Sequence, residues 1–393
     1  MTTARNPTFI SLALIICFGA IGAVVIAPAL PAMAAYFHVS AGQIEQLMTI
    51  YLFGYTMGQL LYAPIAHAFG RKPALFLGVS IAIVGTVLCI LAEPLHSFSL
   101  LLFARLFMAL GASVGLKMTF TIVTDVYEGK QAHRHTAFLV SAFAIMPGVA
   151  TTIGGFLTQH FTWVSCFVFF AGYGLLLLPI TWHLPETAKH FDRDAIKFSH
   201  ILKNYLAVAK HKRLVLHALM VGVITAMTYI FAAVGPFIAI HDLGIRVDVY
   251  GMLNIIPYSG ILLGSLILAR LIGNVKAKKF MRASFVIMLS TILLMLVLFL
   301  CHLINMFTLL APMFIIMASG CCIYSIAINL ATSKVDDKTH GAAMMSFINM
   351  GFATLATLLV GLFHVEHAVG LAICFLLLSV FLGIMMRMAR KKR

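Results

Sequence analysis

The sequence is short of charge: only 10% of its 393 residues are Asp, Glu, Lys or Arg, against roughly 25% in an average soluble domain. Hydrophobic residues make up 62%, and the mean hydropathy is +1.04. A soluble protein of this length could not hide so much apolar surface from water. The apolar runs are about twenty residues long and continuous, which also excludes a barrel of ten-residue alternating strands. The composition therefore predicts an all-α polytopic membrane protein.

Several chemical signatures are also missing. The seven cysteines all lie within or at the end of apolar runs, and no CxxC pair is present, so we expect core cysteines rather than disulfides or metal ligands. There is no GxxxxGK[ST] loop, which argues against ATP-driven chemistry, and no metal-hydrolase motif. We expect no enzyme, no cofactor and no metal site. The net charge of +15 is expected to face anionic lipid rather than nucleic acid.

Twelve apolar runs are each close to the ~20 residues that cross a bilayer. These runs are numbered here as spans one to twelve. They cover about 8–30, 46–66, 74–92, 99–122, 137–159, 163–183, 214–238, 250–272, 282–302, 306–330, 342–363 and 367–387.

The basic residues predict the orientation. If the N-terminus is cytoplasmic, the segments on the cytoplasmic side hold all but four of the Lys and Arg residues, and the opposite side holds only Arg246. Cytoplasmic loops are enriched in Lys and Arg, so both termini are expected in the cytoplasm, with the chain in a cell inner membrane.

A polar stretch at 184–213 divides the chain into two six-span halves, 1–183 and 214–393. This division suggests two related halves around an axis normal to the membrane. Within the stretch, Phe198, Ile201, Leu202 and Tyr205 recur at helical spacing among lysines. We expect either an amphipathic helix on the inner leaflet or a solvated linker.

Short motifs in the N-terminal half occur in an order that resembles the major facilitator superfamily, and most closely its Bcr/CflA drug-efflux subfamily. Span two is followed by a glycine and a basic pair, as in the family's signature loop, although His67 stands where the family usually has an aspartate. The other matching segments are a proline-rich end of span one, an acidic end of span four, and an antiporter-like motif in span five. The residues that carry the resemblance are Pro28, Pro31, Gly70, Arg71, Lys72, Asp125, Pro147, Gly148, Gly154 and Gly155.

The resemblance implies a twelve-helix carrier in which two halves rock around a central site. It also implies that spans five and eight face each other. Gly148, Gly154 and Gly155 on one side, with Gly260 and Gly264 on the other, are then expected to form the moving interface, or a static close-packed one.

Charge inside the membrane is limited to two cations of span four, Arg105 and Lys117, and every carboxylate maps to a loop or a span end. The acidic residue that the subfamily usually carries in span one is Val24 here. An ionisable residue at membrane depth usually serves a function. Arg105 is predicted either to act on substrate or protons, or to bond backbone carbonyls or Gln59. Lys117 is predicted to attract an anionic group, or else to reach toward the cytoplasm or Asp125.

Other polar side chains within the spans could bind substrate or a neighbouring helix. The candidates are Gln59, Tyr55, Tyr229, Asn254 and Asn329.

Three functions fit these observations. The first is proton-linked efflux of small amphipathic neutral or anionic compounds by a monomeric carrier. The second is dedicated transport of an anionic metabolite or siderophore, with Arg105 and Lys117 as counter-charges. The third is a non-transporting membrane sensor or an inactive relative, suggested by the absent carboxylate and by His67.

Overall fold

A computed structural model describes residues 7–188, 191–192, 211–271, 277–332, 338–363, 365 and 367–391. These residues form helices and no strand. The helices of the first half are α1 (Phe9–Val24), α2 (Leu30–Phe37), α3 (Ala41–Phe69), α4 (Arg71–Leu91), α5 (Phe98–Ala112), α6 (Val114–Val126), α7 (Gly129–His160) and α8 (Val164–His183). Those of the second half are α9 (Lys212–Pro236), α10 (Val247–Leu253), α11 (Ile255–Leu271), α12 (Ala277–Leu300), α13 (Met306–Thr332), α14 (Lys338–Leu362) and α15 (Ala368–Lys391).

The predicted all-α membrane architecture is confirmed. Eleven helical segments among the described residues are long and apolar enough to cross a bilayer. The twelfth is α3, the predicted second span, whose 29 residues extend about 43 Å against a hydrocarbon core of ~30 Å. Its hydropathy is lowered by Gln43, Glu45, Gln46 and His67. An even number of crossings puts both ends of the chain on one side, here named the terminal face; the opposite side is the distal face.

Within the described ranges, three spans are broken helices. Span one breaks after Val24, where Pro28 cannot donate a backbone hydrogen bond. Span four breaks at Ser113, whose hydroxyl donates to the carbonyl of Leu110 at 2.8 Å. Span eight breaks at Asn254, three residues before Pro257. Each break frees backbone groups that other side chains or helices must satisfy.

Two hydrophobic clusters fill the protein, one built mainly from spans one to six and one from spans seven to twelve. The first cluster also takes in Ala232, Ala233 and Phe237 from the distal part of span seven, and Met350 from the middle of span eleven. The halves therefore share a core in the middle and toward the distal face. The domain boundaries at 183 and 214 stay a prediction, and the predicted amphipathic helix at 198–205 lies outside the described residues.

The start of span two differs from its predicted bound. The helix begins at Ala41 rather than near residue 46, so Glu45 lies at the end of a span, as predicted for the carboxylates, and not in the loop before it. Ser40 and Gln43 form a capping box, in which the Ser40 hydroxyl accepts from the Gln43 amide and the Gln43 side chain accepts from the Ser40 amide. The helix therefore includes Glu45, whose side chain is buried.

Candidate functional site

The signature loop joins four spans at the terminal face. Gly70 has φ of 105°, which favours glycine, and lets the chain turn directly from α3 into α4. The Glu186 carboxylate, at the end of span six, accepts from the backbone amides of Arg71 at 2.9 Å and Lys72 at 3.0 Å. It therefore caps the positive end of α4. The Arg71 Nε donates to Asp125 of span four at 3.0 Å.

Lys72 and Thr187 complete this cluster. The Lys72 ammonium lies 5.2 Å from the ring centre of Trp182, and the Thr187 hydroxyl donates to Asp125 at 3.0 Å. Asp125 is thus held by spans three and six. All these groups belong to the first half, so the cluster fixes the terminal ends of spans two, three, four and six to one another.

Arg105 is fully buried and contacts the break in span one. Its guanidinium donates to the carbonyls of Gly22 at 2.8 Å and Ala23 at 3.4 Å, in the last turn of α1, and to Leu47 O at 3.4 Å. It also lies 4.3 Å from the ring centre of Tyr51. Carbonyls in a last helical turn have no intrahelical donor, and Arg105 supplies one. Its contacts are therefore those of the structural alternative, with backbone carbonyls as partners.

Lys117 is different in kind. It is half-buried on α6, about 14 Å from the terminal end of that helix. Among the described residues its ammonium has no hydrogen bond or ion pair. Asp125, the acidic residue closest to it along span four, is bound by Arg71 instead. The two cations of span four thus have separate surroundings: Arg105 bonds three backbone carbonyls, and Lys117 has no bond to a described residue.

Tyrosine side chains from both halves converge in the middle of the protein. Tyr55 of span two lies close enough to Tyr229 of span seven and Tyr324 of span ten for their hydroxyls to interact electrostatically. Gln59, one helical turn from Tyr55, is buried beside it, and its side-chain amide has no hydrogen bond among the described residues. Tyr51 stacks beside Tyr55 at 6.3 Å, and its hydroxyl donates to Gly19 O at 2.9 Å. We call Tyr55, Gln59, Tyr229 and Tyr324 the tyrosine group.

The two predicted asparagines lie elsewhere. Asn254 is buried at the break in span eight, where its amide is 3.5 Å from the carbonyl of Tyr250. Asn329 is exposed one turn from the terminal end of span ten and donates to Ser325 O at 3.0 Å. Both amides bond their own span, so the structure does not bring them to the tyrosine group.

Spans five and eight meet through glycine, as the resemblance implies. A Cβ at Gly155 would lie 2.7 Å from Val247 O and 3.0 Å from the Cα of Gly251, so only glycine permits this approach. Nearer the middle, a Cβ at Gly148 would meet Tyr258 of span eight at 3.2 Å. The Thr152 hydroxyl adds a hydrogen bond of 3.0 Å to the carbonyl of Gly251.

The expected partners of these glycines need correction. Gly260 and Gly264 do not face span five; they pack against the backbone of span ten around Ala318. Gly154 packs against the backbone of Val25, beside the break in span one. Gly260 and Gly264 lie on the opposite side of span eight from Gly251. The spacing of glycines along one helix does not show which neighbouring span each side contacts. Pro147 lies within α7, and its carbonyl accepts from Thr151 at 3.0 Å.

Sequence reasoning missed one residue of this region, Thr152. No signal in the sequence marks Thr152, whose bond depends on the packing of two distant spans.

Comparisons with known proteins agree with this architecture. The family model of the Major Facilitator Superfamily matches residues 12–237. A D-xylose-proton symporter of known structure has a TM-score of 0.74 at 12% identity, with 95% of this chain and 96% of the other covered.

Curated relatives are named as a transporter and as resistance proteins. An uncharacterized transporter of Rickettsia felis is 29% identical over 65% of this chain and 63% of its own length. A bicyclomycin resistance protein homolog of Haemophilus influenzae is 25% identical over 63% of this chain and 62% of its length. Multidrug resistance protein D of Escherichia coli is 29% identical over 43% of this chain and 42% of its length. The chain thus spans about three fifths of the first two. With more than half of its residues matched by the family model, this multi-pass membrane protein, which is not an enzyme, belongs to the major facilitator superfamily.

Proposed function

We propose that the protein exports small amphipathic compounds, neutral or anionic, by alternating access driven by protons. The observation that carries the proposal is the tyrosine group, because it places hydrogen-bonding aromatic rings from both halves at one central point. Aromatic rings with a few polar groups are typical of sites for drug-sized ligands. The names of two relatives, a bicyclomycin resistance protein homolog and multidrug resistance protein D, support efflux of such compounds.

Lys117 supports selectivity against cations. Among the described residues, the acidic side chains lie at the two faces and none lies beside the tyrosine group. A permanent cation that entered near Lys117 would meet a like charge in a medium of low dielectric constant, without a counter-charge. A carboxylate would instead find an ammonium that has no other partner in the described part of the chain.

The same cation supports a second candidate, a dedicated carrier of one anionic metabolite or siderophore. The two candidates differ in breadth: a multidrug exporter moves neutral and anionic aromatic compounds alike, and a dedicated carrier moves one anion. Charge asymmetry between the faces supports a cytoplasmic terminal face in a bacterial inner membrane. We propose a monomer, because each central site is formed within one chain.

The test is flux in proteoliposomes that hold the purified protein and an imposed pH gradient. The panel comprises neutral aromatic compounds, aromatic carboxylates and quaternary ammonium dyes. We expect gradient-dependent flux of the first two classes and none of the third. Tyr229→Phe is expected to raise the half-saturating concentration roughly two- to tenfold, the equivalent of one neutral hydrogen bond. Tyr36→Phe, whose hydroxyl bonds Glu93 O near the distal face, is the matched control and should not change it.

Three results would contradict the proposal. Flux that ignores the pH gradient would remove the proton coupling. Efficient flux of the dyes would remove the charge selectivity. Absence of flux for every compound would favour the sensor that the sequence left open.

A further inference from the structure

The Gln59 carboxamide is a buried polar group in the middle of a membrane-spanning helix. Its residue is 1% exposed, and neither its amide nitrogen nor its amide oxygen has a hydrogen bond to a described residue. A carboxamide carries two donors and an oxygen with two lone pairs. Buried polar groups in native proteins almost always have partners, because leaving them unpaired away from water is costly. The unused capacity of Gln59 therefore calls for a ligand.

Gln59 faces the place where the two halves meet. It follows Tyr55 by four residues and lies on the same side of α3. Tyr55 is within electrostatic range of Tyr229 and Tyr324, both in the second half. Tyr229 is in turn within range of Tyr258 of span eight, whose hydroxyl is also buried without a hydrogen bond in the described ranges. Each half thus brings one buried polar group with unused hydrogen-bonding capacity to the same aromatic region.

The other two candidate amides behave differently. The Asn254 amide lies 3.5 Å from the carbonyl of Tyr250, and the Asn329 amide donates to Ser325 O at 3.0 Å. Both therefore use a carbonyl one turn earlier in their own span. Glutamine is longer than asparagine by one methylene group, so its amide extends further from its own backbone. Gln59 is the amide of this set whose bonding groups stay free for a molecule between the halves.

The chemistry of a carboxamide defines the group that fits it. One edge of the amide presents an N–H donor beside a C=O acceptor. A cyclic amide presents the same pair in the opposite order, because its ring holds the N–H and the C=O on one side, and two antiparallel hydrogen bonds result. An extended amide carries its donor and acceptor on opposite edges. An ionised carboxylate carries acceptors alone, so it would leave the amide oxygen of Gln59 unpaired.

We propose that Gln59 is a specificity-determining residue that binds an uncharged cyclic-amide edge of the substrate through two hydrogen bonds. The aromatic part of the substrate packs against the rings of Tyr55 and Tyr229. This inference rests on the central site of the proposed function and deepens it, because it names the chemical group by which a neutral compound is recognised. The attraction of anionic groups remains with Lys117.

The experiment compares three probes of nearly one shape. They are isoquinolin-1-one, a cyclic amide; its N-methyl derivative, which lacks the donor; and isocoumarin, the lactone in which oxygen replaces the N–H. Binding to the full-length protein in lipid nanodiscs is measured by calorimetry without a pH gradient. We expect the cyclic amide to bind about ten- to a hundredfold more tightly than the other two, because each of those breaks one hydrogen bond and leaves the Gln59 oxygen unpaired.

Two variants make the result specific. Gln59→Met keeps the length of the side chain without its hydrogen-bonding groups, so it should bind the three probes within about threefold of one another. It should also melt at or above the temperature of the parent, because it removes an unpaired buried amide. Ser379→Ala is the matched control. It removes another buried hydroxyl that has no hydrogen bond to a described residue, on span twelve against spans seven and nine, and it should keep the parent's preference.

The proposal is wrong if the parent binds the three probes equally or binds none of them. It is also wrong if Gln59→Met keeps the parent's preference, or if Gln59→Met melts well below the parent and weakens all three probes alike, as a structural amide would. Flux is measured separately. Intact preference without flux would contradict the proposed export and leave the Gln59 site standing, whereas flux of neutral compounds without any preference would contradict the Gln59 site alone.

Discussion

Replacing Arg105 by glutamine should destabilise the protein without weakening substrate binding. The guanidinium makes one short and two long hydrogen bonds to backbone carbonyls and lies over the ring of Tyr51. Hydrogen bonds to charged groups contribute about 1.5–3 kcal/mol, and a desolvated cation–π contact can add ~2 kcal/mol. In the unfolded reference state span four still lies in the bilayer, so removing the charge gives folding little compensating gain. We expect a net loss of about 3 kcal/mol.

The assay compares Arg105→Gln with Lys117→Gln, a neutralisation in the same span. A loss of 3 kcal/mol corresponds to a melting temperature lower by roughly 10 °C for a unit of this size. The Lys117 ammonium has no partner among the residues that the structure describes. Its variant should therefore melt within about 2 °C of the parent, because changes that remove no contact usually cost less than 0.5 kcal/mol. Substrate affinity is measured on the same purified samples. If Arg105→Gln melts like the parent and loses affinity at least tenfold, Arg105 is a ligand for substrate and the reasoning fails.

The remaining predictions concern other parts of the molecule. Lys117→Gln should raise the half-saturating concentration of an aromatic carboxylate about tenfold and leave that of a neutral compound unchanged; equal effects on both would contradict the anion site. Gly155→Val should prevent closure of the distal face, because the new side chain would clash with span eight; spin labels on the distal ends of the two halves should then lie farther apart. An unchanged distance would mean that spans five and eight are not tightly packed at this point. Glu186→Gln should cost about 1 kcal/mol of stability through the cap of α4, a loss that thermal unfolding would detect. Reporter fusions at Arg393 and in the 241–249 loop should lie on opposite sides of the membrane, and matching sides would refute the topology.

The sequence is enough to predict the helices but not their partners. Long apolar runs set the spans, and the positions of Lys and Arg set the predicted orientation. Both signals depend only on residues that are close in the sequence, so they can be read without knowing how the helices pack. Span two shows the limit of hydropathy, because its polar residues hid the first turn and the predicted start near residue 46 is five residues later than the observed start at Ala41. The capping box of Ser40 and Gln43 decides that start, and it is a local signal stronger than hydropathy at a helix end.

The site was predictable only in part, for the same reason. Tyr55, Gln59 and Tyr229 do converge. Polar residues in the middle of a span avoid lipid, so side chains at these three positions face the interior between the halves. Asn254 and Asn329 are equally polar, but their side chains bond backbone carbonyls of their own spans. Their spacing in the sequence does not predict these bonds. Arg105 and Lys117 look alike in the sequence. The break of span one decides between them, because it frees carbonyls beside Arg105 and none beside Lys117.

The distribution of strong and weak contacts indicates where the molecule can move. At the terminal face, charged groups such as Arg71, Asp125 and Glu186 join four spans of one half, and the His67 carbonyl accepts from the amide of Asp192. Charge-assisted bonds of this kind are about twice as strong as neutral ones. Among the described residues, contacts between the halves are instead the shared hydrophobic core, glycine-permitted backbone approach and the hydrogen bond of Thr152. Separating the halves would therefore break mainly apolar contacts, whereas deforming the first half at the terminal face would break charge-assisted bonds, and this difference is what rocking about a central site requires.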